Sequence, residues 1–225
     1  CIANGENADG GNGLTEAIAR QLFSLGVDVI TGGNHTWGNS QFRSYLDSTQ
    51  KVLRPLNYPP QAPGRGSTII LTSRQIPVGV LNLQGRTFMY PIDCPFRTGH
   101  EEVARLREKT PIILVDFHAE ATAEKAALAW YLDGAVSAII GTHTHVQTAD
   151  ERIMPKGTAF ITDVGMTGPH DSVIGMDAQV AIKRFTTVLP EKYRMASANI
   201  RLNGALIEID SSSGRAQRIT RINVP

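Results

Sequence analysis

Short apolar runs recur along the chain, and the informative ones stop abruptly at polar, chemically active side chains. Cys1-Ile2-Ala3 runs into Asn4-Gly5-Glu6-Asn7, and Val27-Asp28-Val29-Ile30 into Thr31-Gly32-Gly33-Asn34-His35. Ile112–Val115 leads to Asp116-Phe117-His118, and Ala138-Ile139-Ile140 to Gly141-Thr142-His143-Thr144-His145. Apolar runs this short read as strands. If they lie parallel, their ends share one edge of a sheet, where open α/β folds place ligands.

Between the runs the spacing turns helical. Thr15 is placed to cap a helix through Leu25, with Ala17, Ile18, Ala19, Leu22, Phe23 and Leu25 on its apolar side and Gly26 at its stop. Further helices are expected over Ser40–Leu46, His100–Lys109, Thr122–Leu132 and Asp177–Phe185. Thr68–Thr72 and Val78–Leu83 read as a hairpin through Ser73–Pro77, and Ile200–Asp210 with Ala216–Ile222 as another. Val136–Ile140 and Thr158–Thr162 are strands, and the Pro/Gly-rich Arg54–Gly66 is a loop. Alternation early and hairpins late predict an α/β fold, with mixed sheets packed together and flanked by helices. No repeat or linker divides residues 1–225, so one domain is expected.

Composition narrows the setting. An apolar content of 41% and a charged content of 19% fit an ordinary globule with a full core. A net charge of +1 without a basic stripe gives no nucleic-acid footprint. No apolar stretch nears the roughly 20 residues that span a bilayer, so no membrane partner is expected. Two cysteines, Cys1 and Cys94, suit a reducing compartment, and with no leader pattern the expected location is the cytoplasm. The oligomeric state stays open, a homo-oligomer included.

The strand ends hold metal-ligand chemistry. In an extended Gly141–His145, residues two apart project to one side, so His143 and His145 reach one metal ion or one each of a close pair. His118 adds a third imidazole, with Asp116 and Glu120 as candidates to orient it. Asn34 offers a neutral amide oxygen, and the adjacent His35 points elsewhere, which suits a general acid. Glu6 brings a carboxylate able to bridge two ions, beside the amide of Asn7. His100, His170 and Arg86 read as surface or rim residues, and Trp37 and Trp130 as packing.

The order Gly-Glu-Asn, Gly-Asn-His, a lone strand-end His and Gly-x-His-x-His resembles the calcineurin-like metallophosphoesterases. Asn4–Asn7, Gly33–Trp37, Asn82–Phe88, Asp116–Thr122, Gly141–Ala149 and Thr162–Pro169 resemble more closely the YmdB-type bacterial 2′,3′-cyclic-nucleotide phosphodiesterases. The resemblance implies a metallophosphoesterase sandwich of two mixed sheets with helices outside, and a two-iron centre at the strand ends. It implies Glu6 as the bridge, Asn7 and His145 on the first metal, and Asn34, His118 and His143 on the second. His35 would protonate the leaving group. It also implies a strand ahead of Cys1 carrying a further metal-binding aspartate, so this chain is expected to lack the family's first strand.

In such a centre two cations share an in-line displacement, acidifying a bridging water and binding the phosphoryl oxygens. Nitrogen and oxygen donors admit iron, manganese or zinc, and the preference for iron comes from the resemblance. The expected activity is therefore metal-dependent hydrolysis of a small phosphodiester such as a 2′,3′-cyclic nucleotide. Two rivals stand beside it: a metal-dependent amidohydrolase, which would need an eightfold βα repeat, and a non-catalytic metal-binding regulatory scaffold.

Overall fold

The computed structural model describes residues 1–225. In chain order the elements are β1 (Ile2–Asn4), α1 (Glu16–Ser24), β2 (Val29–Thr31), α2 (Arg43–Ser48, entered through a 3-10 turn at Ser40–Phe42), β3 (Ser67–Leu71) and β4 (Pro77–Gln84). There follow α3 (Pro95–Arg107), β5 (Ile113–His118), α4 (Thr122–Leu132), β6 (Ala138–Thr142), β7 (Arg152–Ile153) and β8 (Ala159–Ile161). The chain closes with β9 (Gly168–Pro169), α5 (Ala178–Thr187), β10 (Ile200–Ile209) and β11 (Ala216–Val224).

A six-stranded sheet of order β3-β4-β5-β6-β8-β7 forms the centre. Strands β4, β5, β6 and β8 run parallel, while β3 and β7 are antiparallel edges. β1 and β2 form a separate parallel pair, and β9, β10 and β11 an antiparallel sheet. The second layer is therefore antiparallel rather than mixed, because it is built around one terminal hairpin. This open sheet is not the eight-stranded barrel that an amidohydrolase reading would need.

The layers follow from which faces are apolar. Val103, Leu106, Leu128, Ala129 and Leu132 of α3 and α4 pack on Leu81, Leu83, Ile113, Val115, Phe117 and Ile139. On the other face Ile207, Ile209, Ala216 and Ile219 of β10 and β11 cover Ala138 and Ala159. Ala19 of α1 joins Ile30, Phe42 and Leu46 around β2. Covered on both faces, the parallel strands read as continuous apolar runs.

Most expected elements stand. Thr15 caps α1, its hydroxyl accepting the Ile18 N–H at 3.2 Å, and α4 spans the expected residues. α3 starts five residues earlier than expected. Pro95 opens it, where a missing N–H costs nothing, and Gly99 sits inside it because a Cβ there would fall 2.8 Å from Leu83 Cδ1. β5 runs on through Asp116 and His118, which the apolar run alone did not include. Trp37 packs 4.6 Å from the Tyr58 ring, but Trp130 is 55% exposed beneath the Arg152 guanidinium rather than packed. No helix is long and apolar enough to cross a membrane.

Candidate metal centre

The strand ends meet at Asp116. Parallel pairing sets Asn4 beside Thr31 and His118 beside Thr142. The buried Asp116 carboxylate accepts hydrogen bonds from Asn4 Nδ2 at 2.9 Å, from Thr142 Oγ1 at 2.7 Å and from the Thr31 hydroxyl. Burial pushes its carboxyl above the ordinary range, against these hydrogen bonds and the charge of His118. Asn82 adds a second link, accepting the Gly32 N–H at 3.0 Å and donating to the Asp116 carbonyl at 3.3 Å. The β1–β2 pair is thereby fixed to the central sheet just below the converging polar side chains.

Above that knot lies a cluster of acceptors. His118 Nε2 is 3.0 Å from Glu6 Oε2, 3.0 Å from Asn34 Oδ1 and 3.0 Å from His143 Nδ1. Glu6 and His118 are buried, and His143 is half-buried. Gly33 permits the approach, since a Cβ there would sit 2.4 Å from His118 Nε2. A positive charge is what reconciles two imidazole nitrogens, an amide oxygen and a carboxylate at such distances. A shared proton serves one pair at a time, whereas a cation serves all of them.

The outer nitrogens show which atoms face inward. His118 Nδ1 donates to Thr142 Oγ1 at 3.0 Å, because that hydroxyl gives its own proton to Asp116. His143 Nε2 lies 3.0 Å from Glu120 Oε2, and His145 Nδ1 donates to the Ile174 carbonyl at 2.9 Å. Each ring is thus held with its other nitrogen turned towards the strand ends, the arrangement that metal-binding histidines need. The donor set fits a metal ion: hard oxygen and imidazole nitrogen, with no thiolate.

A second group sits beside the first. His145 Nε2 is 3.3 Å from Asn7 Nδ2, and the Asn7 amide oxygen is 3.1 Å from His35 Nδ1. Glu6 joins the two groups, with Oε2 towards His118 and Oε1 accepting the His35 N–H at 2.8 Å. Burial raises the Glu6 pKa, but His118 and the His35 N–H outweigh it and bring it down to about 2. Burial, with His118 beside it, lowers His143 to about 4. At neutral pH Glu6 is therefore ionised and the His143 ring unprotonated. The His35 side chain is 45% exposed at the rim.

Beyond Thr142, where β6 ends, His143–His145 is not extended, which corrects one expectation. His143 and His145 have φ of 99° and 67°, left-handed values costly for residues with side chains. The bend separates the two imidazoles, sending His143 to His118 and His145 to Asn7. A buried ion pair holds the bend. Lys125 Nζ meets Asp163 Oδ2 at 2.9 Å, and the same oxygen accepts the Thr144 N–H at 3.0 Å and its hydroxyl at 2.7 Å.

Lys125, Asp163, Thr142, Thr144 and Asn4 were not singled out from sequence. The signal that could have found them is Lys125, a lysine at helical spacing with the apolar Leu128, Ala129 and Leu132 of α4. Other candidates stand apart. His100 is exposed on α3, Arg86 is exposed, and His170 bonds to the Gly168 carbonyl and Asn203.

Comparison with known proteins agrees with this architecture. The family model described as YmdB-like protein matches residues 1–222. The chain is 51% identical over 221 residues to the "2',3'-cyclic-nucleotide 2'-phosphodiesterase" of Bacillus subtilis (strain 168), covering 98% of this chain and 83% of that one. A crystal structure of a hypothetical protein from Thermus thermophilus superposes with a TM-score of 0.93 at 41% identity, over 100% of this chain and 87% of that one. A phosphatase structure from Mycoplasma pneumoniae gives 0.92 at 35% identity, over 99% and 81%.

Proposed function

The chain belongs to the YmdB-like family and is a phosphoric diester hydrolase, and we propose that it acts on 2′,3′-cyclic nucleotides through a pair of metal ions. The observation that carries the metal reading is the convergence of Glu6, Asn34, His118 and His143 on one point. Asn34, His118 and His143 would hold one ion, Asn7 and His145 the other, and Glu6 would lie between them. Iron is our preferred occupant, with manganese or zinc compatible with the same donors. When bound, such ions supply Lewis-acid stabilisation of the phosphoryl oxygens and an acidified water.

The chain's own residues do the rest. Asp116, through Thr142, and Glu120 fix the tautomers of His118 and His143. His35 stands at the rim with Nδ1 engaged by Asn7 and with Glu6 Oε1 at 3.6 Å, which leaves Nε2 to face substrate. From that place His35 gives a proton to the departing ribose oxygen. The two free cysteines and small substrate favour a cytoplasmic setting.

Turnover of adenosine 2′,3′-cyclic phosphate and of bis(p-nitrophenyl) phosphate by the purified chain tests this reading. Activity should disappear with a chelator and return with ferrous or manganous ion. Turnover that ignores the chelator would contradict the metal mechanism. Metal uptake without turnover would instead favour the non-catalytic scaffold.

A further inference from the structure

The loop after β4 leaves an uncovered aromatic surface beside the acceptor cluster. Its base is well anchored. The Glu124 carboxylate accepts the Arg86 N–H at 3.1 Å and the Thr87 N–H at 3.1 Å, and Asn57 Nδ2 donates to the Asp93 carbonyl at 2.9 Å. Between these anchors the Met89 N–H closes a turn on the Arg86 carbonyl at 3.2 Å. That turn puts Phe88 at φ 61°, a left-handed conformation unusual for a non-glycine residue. The strained residue then buries nothing, since Phe88 is 89% exposed and Tyr90 66%.

The same residues line a cleft of about 370 Å³ with Met89, Pro91, Asn34 and His143. The cleft thus has a polar floor shared with the proposed metal ligands and an aromatic wall. Its volume falls within the range of small-ligand sites. Strained backbone held by firm anchors concentrates at functional positions, and an exposed aromatic ring is a stacking platform for any nucleobase.

Resting on the diesterase reading above, we infer that Phe88 is the base-binding residue of this site. A cyclic nucleotide placed with its phosphate towards Asn34 and His143 lays its base against the Phe88 ring, with Tyr90 closing the outer side. Stacking accepts purines and pyrimidines alike because every base has a π-face. The site therefore selects for a nucleoside over a bare cyclic phosphate, without reading which base is present.

The test compares kcat/KM for adenosine 2′,3′-cyclic phosphate with kcat/KM for glycerol 1,2-cyclic phosphate, which has no base. In Phe88→Ala the ratio should fall about tenfold, within the range of one lost base stack, and Phe88→Trp should restore it. As a readout apart from turnover, emission of 2-aminopurine riboside 3′-monophosphate should be quenched by wild type and not by Phe88→Ala. Turnover of both diesters by wild type with an unmoved ratio in Phe88→Ala would overturn the inference alone. A change of oligomeric state in that variant, with the ratio unmoved, would assign the ring to a chain–chain contact and overturn it too. No turnover of either diester by wild type would bring down the diesterase reading first.

Discussion

At the scale of single residues, the proposed roles separate the side chains that would hold metal from the one that would move a proton. His35 touches the cluster only through its backbone N–H and Nδ1, and its ring is the most exposed of the converging histidines. His35→Ala should therefore keep its metal content while kcat falls by about 10²–10⁴, the span of one general acid. Metal analysis beside kinetics checks this, and a variant that loses its metal would make His35 a ligand. His143 sets a pH signature in the metal-free protein. Its pKa is about 4 folded against about 6.5 in an unfolded chain. Between those values the unfolded chain takes up a proton that the folded chain refuses, so stability falls as pH drops from 6.5 towards 4 and is full above 6.5. Glu6, at about 2, adds its own loss only below its unfolded value of 4.5. Melting temperatures between pH 6.5 and 5 should therefore slope in wild type and flatten in His143→Gln. Equal slopes would contradict the assignment.

At the scale of elements, the bend after β6 is the part that most needs support. Lys125 on α4 and Asp163 after β8 neutralise each other in the interior and hold Thr144 between the two imidazoles. Lys125→Met leaves a buried carboxylate unpaired and should cost about 3–5 kcal/mol. Lys125→Met with Asp163→Leu should recover much of the melting temperature yet bind metal poorly, because Thr144 has lost its acceptor. A double variant that binds metal like wild type would remove the clamp from the account. This bend also marks where the sequence stops being legible. The strand ends carrying Glu6, Asn34, His118 and His143 could be read because apolar runs terminate there. The left-handed turn at His143 and His145 could not, since nothing local in Gly-Thr-His-Thr-His favours it over an extended segment. Its cause is Asp163, which lies 18 residues beyond His145 and reaches the bend only through folding. The early start of α3 was missed for a different reason, as Gly99 reads as a breaker until Leu83 is seen against it.

At the scale of the whole molecule, the fold brings residues 6, 34, 118 and 143 together from four separate strand ends. Parallel pairing aligns those ends, Asp116 and Asn82 tie the β1–β2 pair to the central sheet, and helices and hairpin cover the two faces. Anomalous diffraction from crystals grown with ferrous or manganous ion addresses that claim directly. Two peaks should appear on either side of Glu6, about 3.5–4 Å apart as in other paired-ion sites, with one against His118 and His143 and the other against His145. No peak there, with the imidazole nitrogens still turned on one another, would contradict it.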